Sequence, residues 1–279
     1  MGKLLVVGAV AFDTVKTPFG EVGDALGGAA TYFSTAASFF TDVNLIAVVG
    51  EDFPEQHIEF AERWGEININ RFFAKVEGYD QIAEVLKEKD QELNIGGAWH
   101  TDHSYDDIPA MGSILVAKEV PDQGGDTLFA NMYKAYENLS DGFKETLSNL
   151  KAIHSSRHVF GEQSSYAEQT NNQIRNPELA TQDAIHPVII THPESGKKAL
   201  YVNPSFTIGI EGWSKEESRA LLDFLYSQAV SEENITRFKW KKDSIAFWDN
   251  RCTWHYALND YPGKRRLMHR ITVEGSKIS

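Results

Sequence analysis

Short strand-like segments recur from residue 113 onward, and turn-forming residues separate them. The segments are 113–117, 127–130, 188–191, 199–202, 245–248 and 269–273. The turn signals include Pro121-Asp122-Gln123-Gly124-Gly125 and Pro193-Glu194-Ser195-Gly196. Many short strands at moderate spacing are typical of a β-sandwich or a jelly-roll barrel. We therefore expect a mainly β fold with flanking helices.

Three segments have the signals of helices that flank the strands. One predicted helix begins near Asp52, a second begins at Ser140, and a third begins at Ser214, where Glu217 completes a capping box. The polar segment 155–183 has little periodicity, which predicts a long loop. Such a loop over a barrel mouth can be a lid or surface padding, and both interpretations stay open.

The opening of the chain has a different, βαβ-like pattern. It predicts an apolar strand at 4–12, a helix at 29–40 and a second strand at 44–49. A glycine-rich turn at Gly20, Gly23, Gly27 and Gly28 precedes the helix. Backbone N–H groups at that helix start could receive an anion, although turn geometry alone also explains the glycines.

The sequences VVGAVAFDTVKTPFG, GGAATYFSTAASFF and VNLIAVVGEDF resemble the opening of ribokinase-type (PfkB) sugar kinases, over residues 1–53. The resemblance implies that Asp13, Gly27 and Gly28 contact a sugar. The carboxyl-terminal Gly-Ala-Gly-Asp turn of those kinases, which holds their catalytic base, does not occur in this sequence. Sugar phosphorylation is therefore not expected.

Composition excludes several function classes. The net charge of -13 argues against a general surface for nucleic acid or anionic membranes. No apolar run approaches the ~18 residues that a membrane-spanning helix needs. The single cysteine, Cys252, cannot form an internal disulfide and suits a reducing compartment, so we expect a cytoplasmic protein. The sequence leaves the oligomeric state open, a homo-oligomer included.

The tetrapeptide Trp99-His100-Thr101-Asp102 carries the main chemical signal. On an extended strand, residues two apart point to one face, which would bring together the imidazole of His100 and the carboxylate of Asp102. His-x-Asp alone is a common tripeptide. With His255 it gives two histidines and one carboxylate, the set that holds non-haem Fe(II) and leaves positions open for chemistry.

The sequences WHTDHSYDDIPAMGSILVAKEVPDQGGDTLFAN and SIAFWDNRCTWHYALNDYPGKRRLMHRITVEG resemble the taurine dioxygenase (TauD/TfdA) family, over residues 54–279. The resemblance implies a double-stranded β-helix (jelly-roll) and an Fe(II)/2-oxoglutarate-dependent dioxygenase that uses O2 and releases succinate and CO2. It implies His100, Asp102 and His255 as iron ligands. It also implies that Thr127 and Arg266 hold the far carboxylate of 2-oxoglutarate.

The substrate is expected to be a small organic anion. Arg270 lies four residues after Arg266, so both share one face of a strand, and in taurine dioxygenase the matching arginine binds the sulfonate. Asn70 and Phe73 stand where that enzyme has a histidine and a tyrosine that contact substrate. Taurine is therefore not the expected substrate; another sulfonate, a sulfate ester or a carboxylate is. Trp248 and Phe73 are expected as pocket walls, with core packing as the alternative for both. No catalytic residue is assigned beyond the metal ligands.

The two resemblances predict a sugar-kinase-like fragment at 1–53, which is not an independent domain, and a dioxygenase domain at 54–279. Three interpretations stay open: an active dioxygenase, an inactive chimera of a sugar-kinase fragment and a truncated dioxygenase, or a sugar-binding module at 1–50. The junction could be a natural fusion or a gene-joining error. We expect the strand at 45–49 to pair with the edge of the barrel, with pairing to 4–12 as the alternative.

Overall fold

The structure is a computed structural model that describes residues 4–9, 11–17, 20–27, 43–48, 53–164 and 174–278, the first four ranges as backbone strands. Its architecture is mainly β with few helices, as expected. The early strands are β1 (Leu4–Ala9), β2 (Ala11–Thr17), β3 (Gly20–Gly27) and β4 (Val43–Val48).

The opening segment forms two separate pairs of strands. β1 pairs with β4 in parallel, which is the alternative pairing that the sequence left open. β2 and β3 form an antiparallel ladder. The expected glycine-rich turn is therefore wrong over 20–27, because glycine permits a turn but cross-strand pairing decides the conformation. The predicted helix at 29–40 lies outside the described residues.

The remaining elements follow in chain order. The helices are α1 (Phe53–Glu62), α2 (Met132–Glu137), α3 (Asp141–Leu147), α4 (Arg157–Phe160) and α5 (Lys215–Ala229). The strands are β5 (Ile67–Asn68), β6 (Lys75–Val76), β7 (Tyr79–Lys87), β8 (Gly112–Glu119), β9 (Thr127–Asn131), β10 (Lys151–Ser155), β11 (Asp183–Pro187), β12 (Ile189–Thr191), β13 (Lys198–Leu200), β14 (Thr207–Ile210), β15 (Ile235–Phe238), β16 (Ile245–Asp249), β17 (Thr253–Ala257) and β18 (Arg266–Val273).

The main sheet has the order β16-β8-β18-β7-β6, with β5 beside β18. Side chains alternate between its two faces, as strand geometry requires. On what we call the outer face, Ile82, Ile114, Ile271 and Val273 form a core with Ala61 of α1. On the inner face, a second core contains residues of four strands: Ala83, Val85, Leu115, Ala117, Ala246, Trp248 and Met268.

A three-stranded sheet in the order β15-β9-β17 lies against the inner face. Phe129 of β9 and Phe238 of β15 pack against the inner-face core. The opposite side of this smaller sheet contributes Ala130 and Trp254 to a third core, which contains Leu222 and Leu225 of α5. The smaller sheet is therefore packed on both faces, with one face against the main sheet and the other against α5.

Two small sheets complete the described part of the fold: β11-β10-β14, and the hairpin of β12 and β13. The turn of that hairpin contains Gly196 at φ +67°, a conformation that glycine adopts readily. The capping box at Ser214 is confirmed: Glu217 N–H donates to Ser214 Oγ at 3.2 Å, and Ser214 N–H donates to Glu217 Oε2 at 2.9 Å.

The segment 155–183 is not wholly a loop, because it contains α4 and a 3-10 turn at Pro177–Leu179. Residues 165–173 within it lie outside the described residues. Among the helices that the structure describes, none has the length and apolar character to cross a membrane.

The ladder predicted between 45–49 and the barrel edge is not confirmed within the described residues. β16 is the edge strand of the main sheet, and β4 comes within 8 Å of it between Cα atoms. The hydrogen-bonded partner of β4 is nevertheless β1. β4 therefore lies beside the edge without joining the sheet.

Candidate active site

His100 and His255 meet in an isolated antiparallel bridge at the end of the smaller sheet. His100 N–H donates to the carbonyl of His255 at 3.1 Å, and His255 N–H donates to the carbonyl of His100 at 2.8 Å. Their ring centroids are 4.0 Å apart. Asp102 lies in the turn that follows, so the expected extended strand through 102 is wrong: His103 has φ 58°, which ends the extended conformation.

The turn still brings the carboxylate to the two imidazoles. One ligand atom from each of His100, Asp102 and His255 lies within 4.8 Å of the others, and all three residues are buried. His100 Nε2 is 3.7 Å from Asp102 Oδ1. His100 Nδ1 is 2.8 Å from the carbonyl oxygen of Ala98. Because that oxygen can only accept, Nδ1 carries the ring proton and Nε2 keeps a lone pair for a metal.

The protonation states of these groups suit metal binding. Burial lowers the pKa of His100 and, with the neighbouring His100 ring, holds the pKa of His255 well below its usual value. Burial alone would raise the pKa of Asp102, but the guanidinium of Arg270 and the nearby imidazoles more than offset it, so the pKa lies well below its ordinary value. Neutral imidazoles beside an ionised carboxylate are the forms that bind a divalent metal.

Asp102 is held at both oxygens. Ser113 Oγ donates to Oδ2 at 2.7 Å, and Arg270 Nη1 donates to Oδ1 at 3.2 Å. Asn250 Nδ2 in turn donates to Ser113 Oγ at 3.0 Å, and Thr101 Oγ1 donates to the carbonyl of Asn250. Sequence reasoning missed Ser113 and Asn250, because only the register between β8 and β16 brings them to the motif.

The donor set fits iron. Two imidazoles and one carboxylate form the facial set used by non-haem Fe(II) proteins, with other coordination positions left for small molecules. The second ring nitrogen of His255, Nδ1, is buried and has no hydrogen-bond partner among the described residues. Nε2 of His100 and Nδ1 of His255 therefore have no hydrogen-bond partner among the described residues.

Arg266 and Thr127 both lie beside Trp240: the guanidinium of Arg266 is 5.8 Å from its ring, and Thr127 is hydrogen-bonded to its Nε1. Arg266 is buried; its Nε donates to the carbonyl of Gly125 at 3.1 Å, and its Nη2 has no partner among the described residues. Thr127 Oγ1 accepts from Trp240 Nε1 at 2.9 Å, so its own proton remains available to a second acceptor. A buried guanidinium nitrogen and a hydroxyl proton are suitable donors for a carboxylate.

Gly125 positions Arg266 through a tight backbone turn. Its φ of +71° lies in the left-handed region, and an added Cβ would lie 3.3 Å from Arg266 Cδ. Its N–H donates to Asp260 Oδ1 at 2.7 Å, which fixes the turn. The Gly-Gly turn signal in the sequence therefore has a role at the site: its carbonyl orients the guanidinium.

Arg270 lies beside an aromatic cluster. Its guanidinium is 4.8 Å from the centroid of Phe73, and its buried Nε has no partner among the described residues. The rings of Phe73 and Phe160 have centroids 6.0 Å apart, and Phe206 lies 6.1 Å from the ring of His100. Sequence reasoning missed Phe160 and Phe206, since isolated aromatic residues carry no positional signal.

The other two predicted pocket residues have defined positions. Asn70 Oδ1 accepts from the N–H groups of Phe72 at 2.8 Å and Phe73 at 3.1 Å, so its oxygen supports the backbone that carries Phe73. Direct contact between Asn70 and substrate stays a prediction. Trp248 is buried with its ring 4.7 Å from that of His255, as a wall of the site would be.

A family model described as "Taurine catabolism dioxygenase TauD, TfdA family" matches residues 30–272. The chain belongs to this family. The match begins inside the segment 1–53, and the comparisons do not support the resemblance of that segment to sugar kinases. The predicted division at 53/54 stays a prediction.

Curated relatives carry related activities in their names. An alkylsulfatase of Acinetobacter baylyi is 34% identical over 220 residues, which cover 78% of this chain and 68% of that protein. An α-ketoglutarate-dependent sulfonate dioxygenase of Saccharomyces cerevisiae is 33% identical over 234 residues, 80% of this chain and 55% of that protein. An α-ketoglutarate-dependent sulfate ester dioxygenase of Pseudomonas putida is 31% identical, over 77% of this chain and 71% of that protein. The chain thus spans about half of the yeast relative.

Solved structures agree with this assignment. A taurine dioxygenase from Burkholderia xenovorans has a TM-score of 0.69 and 29% identity, and the match covers 89% of this chain and 81% of that one. The structure of AAD-2 in complex with Mn(II) and N-oxalylglycine has a TM-score of 0.69 and 27% identity, with 97% and 94% covered. The predicted enzyme class, a 2-oxoglutarate-dependent dioxygenase of the TauD/TfdA family, is confirmed.

Proposed function

We propose that this protein is an Fe(II)/2-oxoglutarate-dependent dioxygenase on a double-stranded β-helix, and that it hydroxylates a small organic anion with an apolar body. Sulfate esters and sulfonates are the favoured substrates, and carboxylates are the third class. The observation that carries the proposal is the convergence of three metal-ligand atoms within 4.8 Å with two buried arginines of one strand, β18.

His100, Asp102 and His255 would hold the iron. When bound, Fe(II) supplies the oxygen chemistry that couples conversion of 2-oxoglutarate and O2 into succinate and CO2 to hydroxylation of the substrate. Ser113 and Arg270 keep Asp102 ionised and oriented, since each donates to one of its oxygens. No protein residue beyond the three ligands is given a catalytic role.

Arg266 and Thr127 would bind the far carboxylate of 2-oxoglutarate. The unpartnered Nη2 of Arg266 is a charge-assisted donor in a buried position, and the hydroxyl of Thr127 adds a second donor. Gly125 holds the Nε of the same guanidinium, which leaves the terminal nitrogens for the ligand. The arrangement selects a dicarboxylate over a 2-oxo acid that lacks the distal group.

Arg270 would bind the anionic group of the substrate, and the aromatic rings would receive its apolar body. Its unpartnered Nε is a donor for a sulfate, sulfonate or carboxylate oxygen. Phe73, Phe160 and Phe206 provide apolar surface between this guanidinium and His100, and they exclude water from it. The names of relatives that act on alkyl sulfates, sulfate esters and sulfonates support the same substrate class.

Taurine fits this pocket poorly. Its ammonium group needs acceptors, but Phe73 offers a ring, and the oxygen of Asn70 already accepts two backbone N–H groups. An alkyl or aryl chain has no such requirement. We therefore rank an alkyl sulfate or alkyl sulfonate above taurine.

Anaerobic calorimetric titration with Fe(II) and then 2-oxoglutarate tests the enzyme assignment. We expect one metal per chain and a 2-oxoglutarate affinity that depends on the metal. Succinate formation in air should then be compared across alkyl sulfates, alkyl sulfonates, alkyl carboxylates and taurine. Failure to bind metal would favour the alternative of an inactive chimera, and turnover stimulated best by taurine would contradict the substrate ranking. A cytoplasmic location and any homo-oligomer stay predictions from the sequence.

A further inference from the structure

Lys87, the last residue of β7, is buried at 3% exposure. In the antiparallel ladder it lies directly opposite Arg266 of β18. It has the same strand parity as Ala83 and Val85, which belong to the inner-face core, so its side chain starts from the inner face. Lysine is almost never fully buried without a partner, which makes this position unusual.

The observed contact of Lys87 is aromatic. Its Nζ lies 4.4 Å from the centroid of the Tyr261 ring. Within the part of the chain that the structure describes, no carboxylate lies within 4 Å of the Nζ of Lys87 or of the guanidinium of Arg266. Lys87, Arg266 and Tyr261 border one narrow gap, which has no room for a water molecule. Two like charges directly opposite each other on a sheet destabilise it.

Arg265, the neighbouring cation on the outside of the same strands, has carboxylate partners. Arg265 Nε lies 3.1 Å from Glu88 Oε1, and Arg265 Nη1 also bonds Glu119. The outward-facing charge at this end of the sheet is therefore balanced by carboxylates of the protein. Lys87 and Arg266, the two inward-facing cations at this end of the sheet, have no such carboxylate partner among the described residues. They are therefore available to an anionic ligand.

We propose that Lys87 is a second cosubstrate-binding residue, which joins Arg266 in a two-cation pocket for the far carboxylate of 2-oxoglutarate. This inference rests on the proposed function. Each cation supplies charge-assisted donors, and the shared anion removes the repulsion between them. Burial lowers the pKa of both groups, and a carboxylate beside them would raise it again.

A purely structural role for Lys87, through its contact with Tyr261, makes opposite predictions. Loss of a structural cation–π contact would destabilise the protein without ligand and leave ligand affinity alone. Loss of a ligand-binding charge would weaken ligand binding and relieve repulsion with Arg266 in the free protein. Stability without ligand and affinity for ligand therefore separate the two roles.

The test compares Lys87→Met, Lys87→Gln and Lys87→Arg with the wild-type protein. Lys151→Met, an exposed lysine on β10, is the matched control. Anaerobic titrations with Mn(II) in place of Fe(II) measure the Kd of 2-oxoglutarate, of N-oxalylglycine and of 2-oxopentanoate, which lacks the distal carboxylate. Thermal unfolding without ligand is measured in parallel.

We expect both neutral variants to bind 2-oxoglutarate and N-oxalylglycine ~10- to 100-fold more weakly, the range for one charge-assisted contact. The affinity of the neutral variants for 2-oxopentanoate should match that of the wild type. Lys87→Arg should keep most of the 2-oxoglutarate affinity. The unfolding temperature of the neutral variants without ligand should not fall below that of the wild type. Equal 2-oxoglutarate affinity in the neutral variants, equal losses for all three ligands, or neutral variants that do not fold would each overturn the inference. A wild-type protein that fails to bind 2-oxoglutarate would overturn the proposed function instead.

Discussion

The two faces of β18 have opposite characters although their residues alternate along one strand. On the inner face, Arg266 and Arg270 are buried, and each has a guanidinium nitrogen without a partner among the described residues. On the outer face, Ile271 and Val273 are fully buried in the core that α1 covers. The inner face thus has guanidinium nitrogens without acceptors, and the outer face is closely packed.

The difference separates function from stability. Buried guanidinium nitrogens without acceptors cost folding free energy, and binding of an anion offsets that cost. Apolar packing on the outer face stabilises the protein whether or not a ligand is present. Substitutions on the inner face should therefore change ligand affinity, while substitutions on the outer face should change the free energy of unfolding.

The largest expected effect is the loss of a metal ligand. His100→Ala, Asp102→Ala or His255→Ala should each abolish metal-dependent conversion of 2-oxoglutarate to succinate, since two remaining ligands hold the metal poorly. His269→Gln, which changes a histidine of the outer face, should bind metal as the wild type does. Succinate release and metal titration measure both. Undiminished turnover in a ligand variant would remove that residue from the site.

The second effect tests the packed face. Ile271→Ala should lower the free energy of unfolding by about 2–5 kcal/mol, because Ile271 is fully buried and its truncation leaves a cavity. The Kd of 2-oxoglutarate should stay nearly constant in the folded fraction. Denaturant unfolding and anaerobic titration provide the two values. A large loss of affinity with little loss of stability would contradict the separation of the two faces.

The third effect tests the division of labour on the inner face. Arg266→Ala should weaken 2-oxoglutarate binding by about 2–4 kcal/mol, the range for leaving a buried charge partner unpaired. Arg270→Ala should instead raise the apparent KM of the substrate. Because Arg270 also pairs with Asp102, the Kd of 2-oxoglutarate is compared at a metal concentration that saturates each variant, and there it should stay nearly unchanged. Equal damage to cosubstrate binding in both variants would show that the two arginines do not have separate ligands.

The parts of the fold that sequence predicted are those with a local signal. β8, β9, β16 and β18 were expected within a few residues because their apolar runs are bounded by turn residues. β7 was not expected, since polar and charged residues interrupt its pattern. It is a strand because β18 pairs with it along most of its length, and that pairing depends on residues far away in the chain.

The residues of the site also divide into those with a local sequence signal and those without one. The proposed metal ligands and the two arginines could be predicted because they lie in the two sequences that resemble the TauD/TfdA family. Ser113, Asn250 and Lys87, the proposed second cosubstrate-binding residue, were missed because a register between strands that are distant in sequence brings each to its position. Asn70 shows a further limit: its position suggested a substrate contact, while the structure shows its oxygen bound to backbone N–H groups.

The smallest effect concerns acid stability on the outer face. Burial and the charge of Lys118 lower the pKa of His269 to about 4 from an ordinary value of 6.5, and the pKa of the neighbouring His57 is lowered to about 3 by burial and by His269 and Lys118. Between these values and 6.5 the unfolded chain binds more protons than the folded chain, so stability falls as the pH is lowered through that range. From pH 7 to pH 5, His269 alone should account for about 2 kcal/mol of lost stability.

His269→Gln should remove that contribution and leave most of the contribution of His57, because burial is the largest cause of the lowered pKa of His57. The free energy of unfolding, measured with denaturant at a series of pH values, should therefore fall less steeply in the variant than in the wild type between about pH 6.5 and pH 4. The Kd of 2-oxoglutarate at pH 7 should not change, because His269 points away from Arg266 and Arg270. Equal pH slopes in the two proteins would mean that His269 is not held neutral by the outer face. The contrast between an inner face with unpartnered guanidinium nitrogens and a packed outer face would then fail at this residue.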